Sequence, residues 1–254
     1  TNPEFKEAIR RNLAVRSYPE ALGELTRTYE TVTVSGAHGK STTTAFIGLI
    51  LEEAYFNPTV IVGAKIPEFG NSNFRKGGGP YLVLEADEWN RSFLNYSPEY
   101  AVVTNIDAEH LDTYKTFDAV KAAFAEYLAK IPERGVIVAN ADDPALQEVA
   151  GKFGSRVVWY SLSDPEAARV RPLLRIPGEH NVSNALAAYK LGRAIGAREE
   201  DIVRGIARFG GAWRRFEFHG ITGGAVVIAD YGHHPREIIA TLAAARERFP
   251  MRRI

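Results

Sequence analysis

The sequence contains no cysteine, which excludes disulfide bonds and thiol catalysis and suits a reducing compartment. It also lacks a charge excess: 31 basic residues balance 31 acidic ones, so composition favours neither nucleic acid nor an anionic membrane as a partner. No apolar run approaches the ~20 residues that cross a bilayer, and the first residues carry no apolar signal region. We therefore expect a cytoplasmic protein of one or two domains.

Apolar, β-branched runs alternate with helical segments along most of the chain. Strands are predicted at 31–35, 59–62, 81–85, 100–105, 135–139 and 156–160, and helices at 40–55, 116–130, 143–152, 180–195 and 199–208. Runs such as Tyr81-Leu82-Val83-Leu84 are apolar on both faces, which is typical of parallel strands buried between helix layers. The pattern predicts an α/β fold with a doubly wound, mostly parallel sheet, in which ligands bind at the carboxyl ends of strands.

The two ends of the chain differ from the rest in their pattern of apolar and charged residues. Residues 1–28 are charged and amphipathic, with an early helix near Pro3 to Asn12. At the other end, a strand at 225–230 and a helix at 235–248 follow a glycine-containing break, and the chain stops at Ile254. Since one strand and one helix cannot form a core of their own, we expect this end to be truncated or to dock on the preceding domain.

The most specific motif is the stretch Gly36-Ala37-His38-Gly39-Lys40-Ser41, which lies between the first predicted strand and the first long helix. Glycines let backbone N–H groups approach phosphate oxygens, and the helix start adds free N–H groups and a partial positive charge. Lys40 supplies a full charge, and the Ser41 hydroxyl suits Mg²⁺. The usual pattern, G-x-x-x-x-G-K-[ST], requires glycine where Val34 stands, so this loop is a shortened G-x-x-G-K-S. A chance glycine turn is the alternative.

Acidic side chains follow the third predicted strand in the run Glu85-Ala86-Asp87-Glu88. Three carboxylates in four residues repel each other unless a cation lies among them. Glu85 directly follows the apolar run and is the best candidate for an Mg²⁺ ligand; the alternative is a solvated acidic loop.

His110 follows the fourth predicted strand among carboxylates. It is a candidate ligand for a second metal ion through a neutral imidazole nitrogen, and the alternative is a structural hydrogen-bonding histidine. The neighbouring carboxylates either orient it or cap the next helix: Asp107, Glu109 and Asp112.

Polar groups in the last third of the chain suit a nucleotide. Asn181 and Asn184 lie three residues apart on one face of a predicted helix, where amides need a partner; they are candidates for binding a base or a phosphate, although Asn181 is alternatively a helix cap. Arg215 is a candidate phosphate clamp, and Asp230 a candidate acceptor for ribose hydroxyls. The pair His233-His234 invites a metal interpretation, but adjacent side chains point apart on most backbones, so a helix-starting turn is favoured.

The order of these motifs resembles that of the Mur ligases, the ATP-dependent amide-forming enzymes of peptidoglycan precursor synthesis. The resemblance covers most of residues 29–237 and rests on Gly36–Ser41, Glu85–Glu88, Asn105–Tyr114, Gly178–Ala188, Arg214–Glu217 and Asp230–Pro235. The histidine in the glycine loop, the Glu-Ala-Asp-Glu run and the Tyr-Gly-His-His-Pro segment look most like the members that join L-alanine to UDP-N-acetylmuramate. Two departures are Trp89-Asn90-Arg91, where a Ser-Asp-Gly type of sequence is common, and Ala229, where a second acidic residue is usual.

The resemblance implies a three-domain ligase that uses ATP and Mg²⁺ to join L-alanine to UDP-N-acetylmuramate through an acyl phosphate. Residues 1–28 would be the remnant of a UDP-sugar-binding N-terminal domain, 29–213 the central ATP-binding domain, and 214–254 the truncated start of a Rossmann-like C-terminal ligase domain. The implied catalytic residues are Lys40, Glu85 and His110, and the implied metal ligands are Ser41, Glu85 and His110. The implied ATP-binding residues are Gly36, Ala37, His38, Gly39, Lys40, Ser41, Thr42, Asn181, Asn184, Arg215 and Asp230.

Three alternative functions remain open from the sequence. They are a ligase that recycles a ready-made tripeptide, a folylpolyglutamate synthase-like ligase and, for this chain on its own, a non-catalytic ATP-binding module. A P-loop GTPase is not supported, because the sequence has no Asn-Lys-x-Asp segment for reading guanine. The sequence predicts no oligomeric state, and we expect the contacts that select the amino acid to lie outside this chain.

Overall fold

A seven-stranded sheet forms the centre of the computed structural model, which describes residues 2–254. Its strands are β1 (Glu30–Ser35), β2 (Thr59–Ile66), β3 (Ser72–Arg75), β4 (Tyr81–Glu85), β5 (Tyr100–Val103), β6 (Val136–Asn140) and β7 (Val157–Tyr160). They are arranged in the order β3-β2-β4-β1-β5-β6-β7, and within this sheet only β3 is antiparallel to its neighbour. The predicted α/β fold with a mostly parallel sheet is confirmed.

The strand order positions a binding crevice. β1 lies between β4 and β5, so the chain winds toward one edge of the sheet through β2 to β4 and toward the other from β5 onward. In open α/β sheets, ligands bind outside the carboxyl end of the strand at which the winding direction changes. That strand is β1, and the residues that follow it are the glycine loop 36–41.

Helices cover both faces of the sheet. They are α1 (Pro3–Arg10), α2 (Tyr18–Thr26), α3 (Lys40–Glu53), α4 (Leu111–Tyr114), α5 (Phe117–Leu128), α6 (Pro144–Ala150), α7 (Pro165–Val170), α8 (Glu179–Ile195), α9 (Glu199–Arg208) and α10 (Pro235–Arg248). One apolar core joins α3, α8 and α9 to one face, and a second joins α5 and α6 to the other. Successive residues of β4 alternate between them: Val83 packs in the first core, and Leu82 and Leu84 in the second.

Close packing fixes the helix that follows the glycine loop. Gly205 of α9 lies against the backbone of Ile50 in α3, and a Cβ at position 205 would clash with that backbone. Phe46 of α3 packs on Phe209, with ring centroids 4.5 Å apart. Both contacts hold α3 against α9, so the N-terminus of α3 has a defined position at the crevice.

Several elements escaped prediction. β3 is a short polar edge strand, and β8 (Glu217–Thr222) pairs antiparallel with β9 (Ala225–Ala229) in a separate hairpin, although only the second strand was predicted. β8 mixes charged, glycine and apolar residues, so it lacks the apolar run that marked the central strands. α2, α4 and α7 were also missed. The turn Gly77–Pro80 packs on the segment before β2: the Gly79 N–H donates to the Asn57 carbonyl at 2.9 Å, and a Cβ at Gly77 or Gly79 would clash with backbone carbonyls there.

Helix α10 and the hairpin contact the larger part of the chain. The backbone N–H of Gly178 donates to Oε2 of Glu247 in α10 at 3.1 Å, and the Trp213 N–H donates to the Lys65 carbonyl at 2.9 Å. In the described range 2–254, no helix combines the length and the apolar character that crossing a bilayer requires.

Candidate active site

The glycine loop connects β1 to α3 and requires glycine at two positions. Gly36 and Gly39 have φ angles of +127° and +84°, which L side chains rarely adopt. A Cβ would also clash with the Thr104 hydroxyl at position 36 and with the Asn184 amide oxygen at position 39. The loop therefore lies against the tip of β5 on one side and against α8 on the other.

Residues after β5 anchor the loop backbone. The Thr104 hydroxyl donates to the His38 carbonyl at 2.5 Å, and the His38 N–H donates to Oδ1 of Asn105 at 2.9 Å. Gly39 is the N-cap of α3, so the helix starts at Lys40 with its free N–H groups at the loop. This geometry suits an anion such as a phosphate.

Lys40 lies between the loop and the acidic run that follows β4. Its Nζ donates to the Gly36 carbonyl at 2.7 Å and lies 3.2 Å from Oε2 of Glu88. Burial alone would lower the pKa of Lys40, but the negative charges of Glu88, Asp87 and Glu85 outweigh burial and raise it. The side chain is therefore a buried ammonium held by carboxylates.

Glu85 and Ser41, both implied metal ligands, lie close together. The Ser41 hydroxyl is near enough to the Glu85 carboxylate to lower its pKa, and the carboxylate accepts from the Gly63 N–H. Burial raises the pKa of Glu85, and these two groups and the Lys40 charge oppose the rise without cancelling it. A cation at this point would favour the ionised carboxylate.

Glu88 contacts two side chains, Lys40 and His110. Nε2 of His110 is 3.7 Å from Oε1 of Glu88, and His110 forms a potential metal-binding group with Asp87 and Glu88. Burial raises the pKa of Glu88; Lys40 opposes this rise and Asp87 adds to it. We call Lys40, Glu85, Asp87, Glu88 and His110 the acidic cluster.

The carboxylates near His110 in sequence have other partners. Asp107 and Glu109 face the His38 ring, at 3.4 and 3.7 Å, rather than His110. The hypothesis that they orient His110 is therefore wrong. His110 itself has a φ of +54°, so the chain turns sharply there and directs successive side chains to different neighbours.

The acidic cluster has the chemistry of a magnesium site. Its carboxylate oxygens and the nearby hydroxyl of Ser41 are the ligands that Mg²⁺ prefers, and the imidazole nitrogen of His110 adds a further donor. The raised pKa values of Glu85 and Glu88 reflect buried negative groups that Lys40 alone does not neutralise. The residues present therefore fit a divalent cation.

A cavity of about 400 Å³ lies next to the loop. Eight of the residues predicted to bind nucleotide line it, together with the apolar side chains of Leu162, Ile176 and Phe209. The eight are His38, Gly39, Ser41, Thr42, Asn181, Asn184, Arg215 and Asp230. Gly36, Ala37 and Lys40 lie outside this lining. The cavity thus combines apolar walls with a few polar groups, which is typical of small-molecule sites.

The polar groups of the cavity differ in how they are held. Nδ2 of Asn181 donates to the Pro177 carbonyl at 2.6 Å, so this amide also fixes the turn before α8. The Asp230 carboxylate accepts from the N–H groups of Phe216 and Gly232, at 2.9 and 2.7 Å. Each carboxylate oxygen keeps a further lone pair for a ligand.

Helix α10 supplies a residue that sequence reasoning missed. Oε1 of Glu237 lies 3.2 Å from Nδ1 of His38, and its other oxygen accepts from the N–H groups of His233 and His234. Burial would raise the pKa of Glu237, but the adjacent His38 ring and the hydrogen bonds from these two N–H groups lower it to about 2. The available signal was Glu237 three residues after His234, which is the spacing of a capping box.

Comparison with known families agrees with this geometry. Residues 34–173, more than half of the chain, match the Mur ligase middle domain. The chain belongs to the Mur ligase family. Residues 214–254 match a second unit of the same family, described as the Mur ligase, glutamate ligase domain.

Similar proteins cover the whole chain. It is 41% identical to a UDP-N-acetylmuramate–L-alanine ligase from Salinibacter ruber, over 100% of the chain and 58% of that relative. It is 40% identical to the ligase of the same name from Aquifex aeolicus, over 98% of the chain and 60% of the relative. The crystal structure of the UDP-N-acetylmuramate–alanine ligase from Thermotoga maritima superposes with a TM-score of 0.82 at 26% identity, covering 98% of this chain and 62% of that one. The chain thus spans about three fifths of the length of these Mur ligases.

Proposed function

We propose that this chain is the ATP-binding part of a ligase that joins L-alanine to UDP-N-acetylmuramate, with ATP converted to ADP and phosphate. The observation that carries the proposal is that the cavity, the glycine loop and the acidic cluster adjoin one another. Ser41 lines the cavity and also lies close to the Glu85 carboxylate, while Lys40, the preceding residue, contacts Glu88. A nucleoside in the cavity would therefore direct its phosphates across the loop toward the acidic cluster.

The same proposal divides the chain into three parts. Residues 29–213 would form the ATP-binding domain, since the seven-stranded sheet and helices α3 to α9 lie within this range. Residues 214–254 would begin the C-terminal ligase domain, since their hairpin is a separate sheet. Residues 1–28 would be the remnant of a sugar-nucleotide domain, which is consistent with α1 burying none of its residues.

The proposed chemistry has two steps. A carboxylate oxygen of the sugar attacks the γ-phosphorus of ATP; an oxygen–phosphorus bond forms, and the bond from phosphorus to the bridging oxygen breaks, so ADP leaves with that electron pair. The amine of L-alanine then attacks the carbonyl carbon of the acyl phosphate. Phosphate leaves with the electron pair of the broken carbon–oxygen bond, and the nitrogen loses a proton. Phosphoryl transfer of this kind depends on positioning and charge neutralisation.

The chain's own residues would supply positioning. Lys40 would exchange its contacts with the Gly36 carbonyl and Glu88 for oxygens of the β- and γ-phosphates. The loop N–H groups and the start of α3 would bind the same phosphates. Asp230 would accept the ribose hydroxyls, and Arg215 would donate to a phosphate from the C-terminal side of the cavity.

The acidic cluster would hold magnesium. Ser41 and Glu85 would supply oxygen ligands to one ion, and Glu88 and His110 would supply an oxygen and a nitrogen ligand to a second. Mg²⁺ bound there would offset the repulsion between the attacking carboxylate and the γ-phosphate.

A ligase that recycles a tripeptide is the second candidate. Solved murein peptide ligases resemble this chain in fold, with a TM-score of 0.75 at 23% identity for the one from Psychrobacter arcticus. In the same structural comparison, the alanine ligase from Thermotoga maritima has a TM-score of 0.82 at 26% identity, and the relatives at 40% to 41% identity are also named alanine ligases. These similarities favour L-alanine over a tripeptide as the incoming amine.

The test is a coupled assay of ADP release by the parent protein, with UDP-N-acetylmuramate and either L-alanine, L-serine, glycine or the tripeptide. We expect ADP release with L-alanine, and no turnover from residues 1–254 alone.

Lys40→Ala should lower the rate by at least about 100-fold, which corresponds to roughly 3 kcal/mol of transition-state stabilisation. Lys152→Ala is the matched control. Faster turnover with the tripeptide would favour the recycling ligase, and equal turnover with folate and glutamate would refute both.

A further inference from the structure

A second group of metal-ligating side chains lies beside the glycine loop and shares no residue with the acidic cluster. It consists of His38 in the loop, Asp107 after β5 and His234 at the start of α10. These residues come from three separate segments, and the last belongs to the C-terminal part of the chain. Their convergence was not predicted, since His233-His234 reads as a helix-starting turn.

The ligand atoms are spaced for one metal ion. Nε2 of His38 is 3.4 Å from Oδ2 of Asp107, Nδ1 of His234 is 3.9 Å from the same oxygen, and all three atoms lie within 4.8 Å of one another. Ligands about 2.1 Å from a tetrahedral zinc ion lie about 3.4 Å apart. Small side-chain rotations would therefore bring the three atoms into a common coordination sphere.

The two imidazoles are oriented as metal ligands. Nδ1 of His234 is buried and has no hydrogen-bond partner among residues 2–254, although it points toward Asp107. A buried imidazole nitrogen without a partner is costly unless a ligand satisfies it. Nε2 of His38 lies 3.4 Å from Oδ2 of Asp107. Its Nδ1 is also buried without a hydrogen bond among the described residues, but it lies 3.2 Å from Oε1 of Glu237, so a small rotation of the ring would bring this carboxylate onto the outer nitrogen. A carboxylate on the outer nitrogen is the arrangement that fixes metal-binding histidines.

We propose that His38, Asp107 and His234 form a binding site for a borderline divalent transition metal ion such as Zn²⁺ or Co²⁺. Two imidazole nitrogens and one carboxylate suit these ions, whereas Mg²⁺ prefers oxygen ligands. The bound ion would tie the start of α10 to the glycine loop. It would displace one competing cation, Arg236, whose Nε lies 3.2 Å from Oδ2 of Asp107 and whose side chain is 67% exposed and free to move into solvent.

Cobalt is the probe of choice, because Co²⁺ in a four-coordinate protein site absorbs visible light far more strongly than aqueous Co²⁺. The 254-residue chain would be titrated with Co²⁺ in excess Mg²⁺, which occupies the oxygen-rich acidic cluster. We expect one equivalent of Co²⁺ to give this absorption and Zn²⁺ to abolish it. Glu237→Gln should weaken Co²⁺ binding by about 10- to 100-fold, because it removes the outer carboxylate of His38.

Variants separate the proposed site from other histidines. His234→Ala and Asp107→Asn should each abolish the absorption, whereas His110→Ala in the acidic cluster and His219→Ala in the exposed hairpin should retain it. Circular dichroism would establish that each variant is folded, and His234→Gln serves if alanine disturbs the helix start. Absence of one-equivalent binding, or its persistence in folded His234 variants, overturns the proposal. Loss in His110→Ala alone would assign the ion to the acidic cluster and overturn it equally.

Discussion

Nζ of Lys40 lies 3.2 Å from Oε2 of Glu88, so the lysine of the glycine loop is paired with a carboxylate from the segment that follows the neighbouring strand β4. The lysine also donates to the Gly36 carbonyl of its own loop. A triphosphate that enters the loop would compete with Glu88 for the ammonium group. We therefore propose two roles for Glu88: it holds Lys40 in place, and it binds a cation together with His110.

The first prediction concerns Glu88→Gln. Removing this buried negative charge should raise the affinity for ATP without divalent ions several-fold and reduce the gain in affinity that Mg²⁺ gives. Isothermal titration of ATP with and without Mg²⁺ measures both effects. Glu126→Gln, at an exposed carboxylate paired with Arg91, is the control and should change neither. An unaltered Mg²⁺ dependence in Glu88→Gln would remove Glu88 from the metal site.

The second prediction separates backbone strain from steric clash at the glycine loop. Gly39→Ala imposes a φ of +84° on alanine and sets a Cβ against the Asn184 amide. Gly196→Ala imposes a similar φ of +92° at a helix end with open space around it. Both should lose about 1–2 kcal/mol of stability from strain, but Gly39→Ala should lose more and should also weaken ATP binding. Equal losses in urea unfolding of the two variants would contradict the packing of the loop on α8.

The third prediction distinguishes the two asparagines of α8. Asn181→Ala removes a buried hydrogen bond to the Pro177 carbonyl and should lower the free energy of unfolding by about 1–3 kcal/mol. Asn184→Ala should cost less stability, because its amide faces Gly39 and the cavity, but should weaken ATP binding by about tenfold. Thermal unfolding and ATP titration of both variants test this division. It fails if Asn184→Ala binds ATP normally.

The fourth prediction follows from the lowered pKa of Glu237. The folded protein holds this carboxyl at about 2 against an ordinary value of 4.5, so the unfolded chain takes up the proton first as the pH falls. The stabilisation is complete above about pH 4.5 and disappears as the pH falls through about 2. The difference corresponds to at most about 3 kcal/mol. Unfolding free energies between pH 6 and pH 3 should fall more steeply for the wild type than for Glu237→Gln, whereas Glu24→Gln, at a surface site, should match the wild type.

Most of the sheet could be predicted because its strands are buried on both faces. Val32 and Val34 of β1 pack in one core, and Thr33 reaches the other side, where its hydroxyl hydrogen-bonds to Tyr127 at 2.5 Å. Such runs are β-branched and apolar throughout, so their pattern does not depend on a partner. The hairpin strand β8 has no such run, and its strand conformation depends on pairing with β9.

Individual site residues could be predicted, but their pairings could not. Lys40 and Glu88 are 48 positions apart, and they meet because β4 lies next to β1 in the sheet. The strand order is not readable from the local pattern of either strand. Likewise, Asp107 precedes His110 by three residues but contacts His38, because Thr104 and Asn105 hold the start of this segment on the backbone of His38.

The contact of α10 with the glycine loop has a thermodynamic consequence. Arg215, Asp230 and Glu237 belong to the C-terminal segment and line the cavity together with α8 and the glycine loop. A nucleotide that contacts both the C-terminal segment and the part formed by α8 and the glycine loop must strengthen the association of these two parts. By linkage, their association must raise the affinity for the nucleotide by the same factor. Any substitution that loosens α10 from His38 is therefore expected to appear as a weaker nucleotide affinity, even at a distance from the ligand.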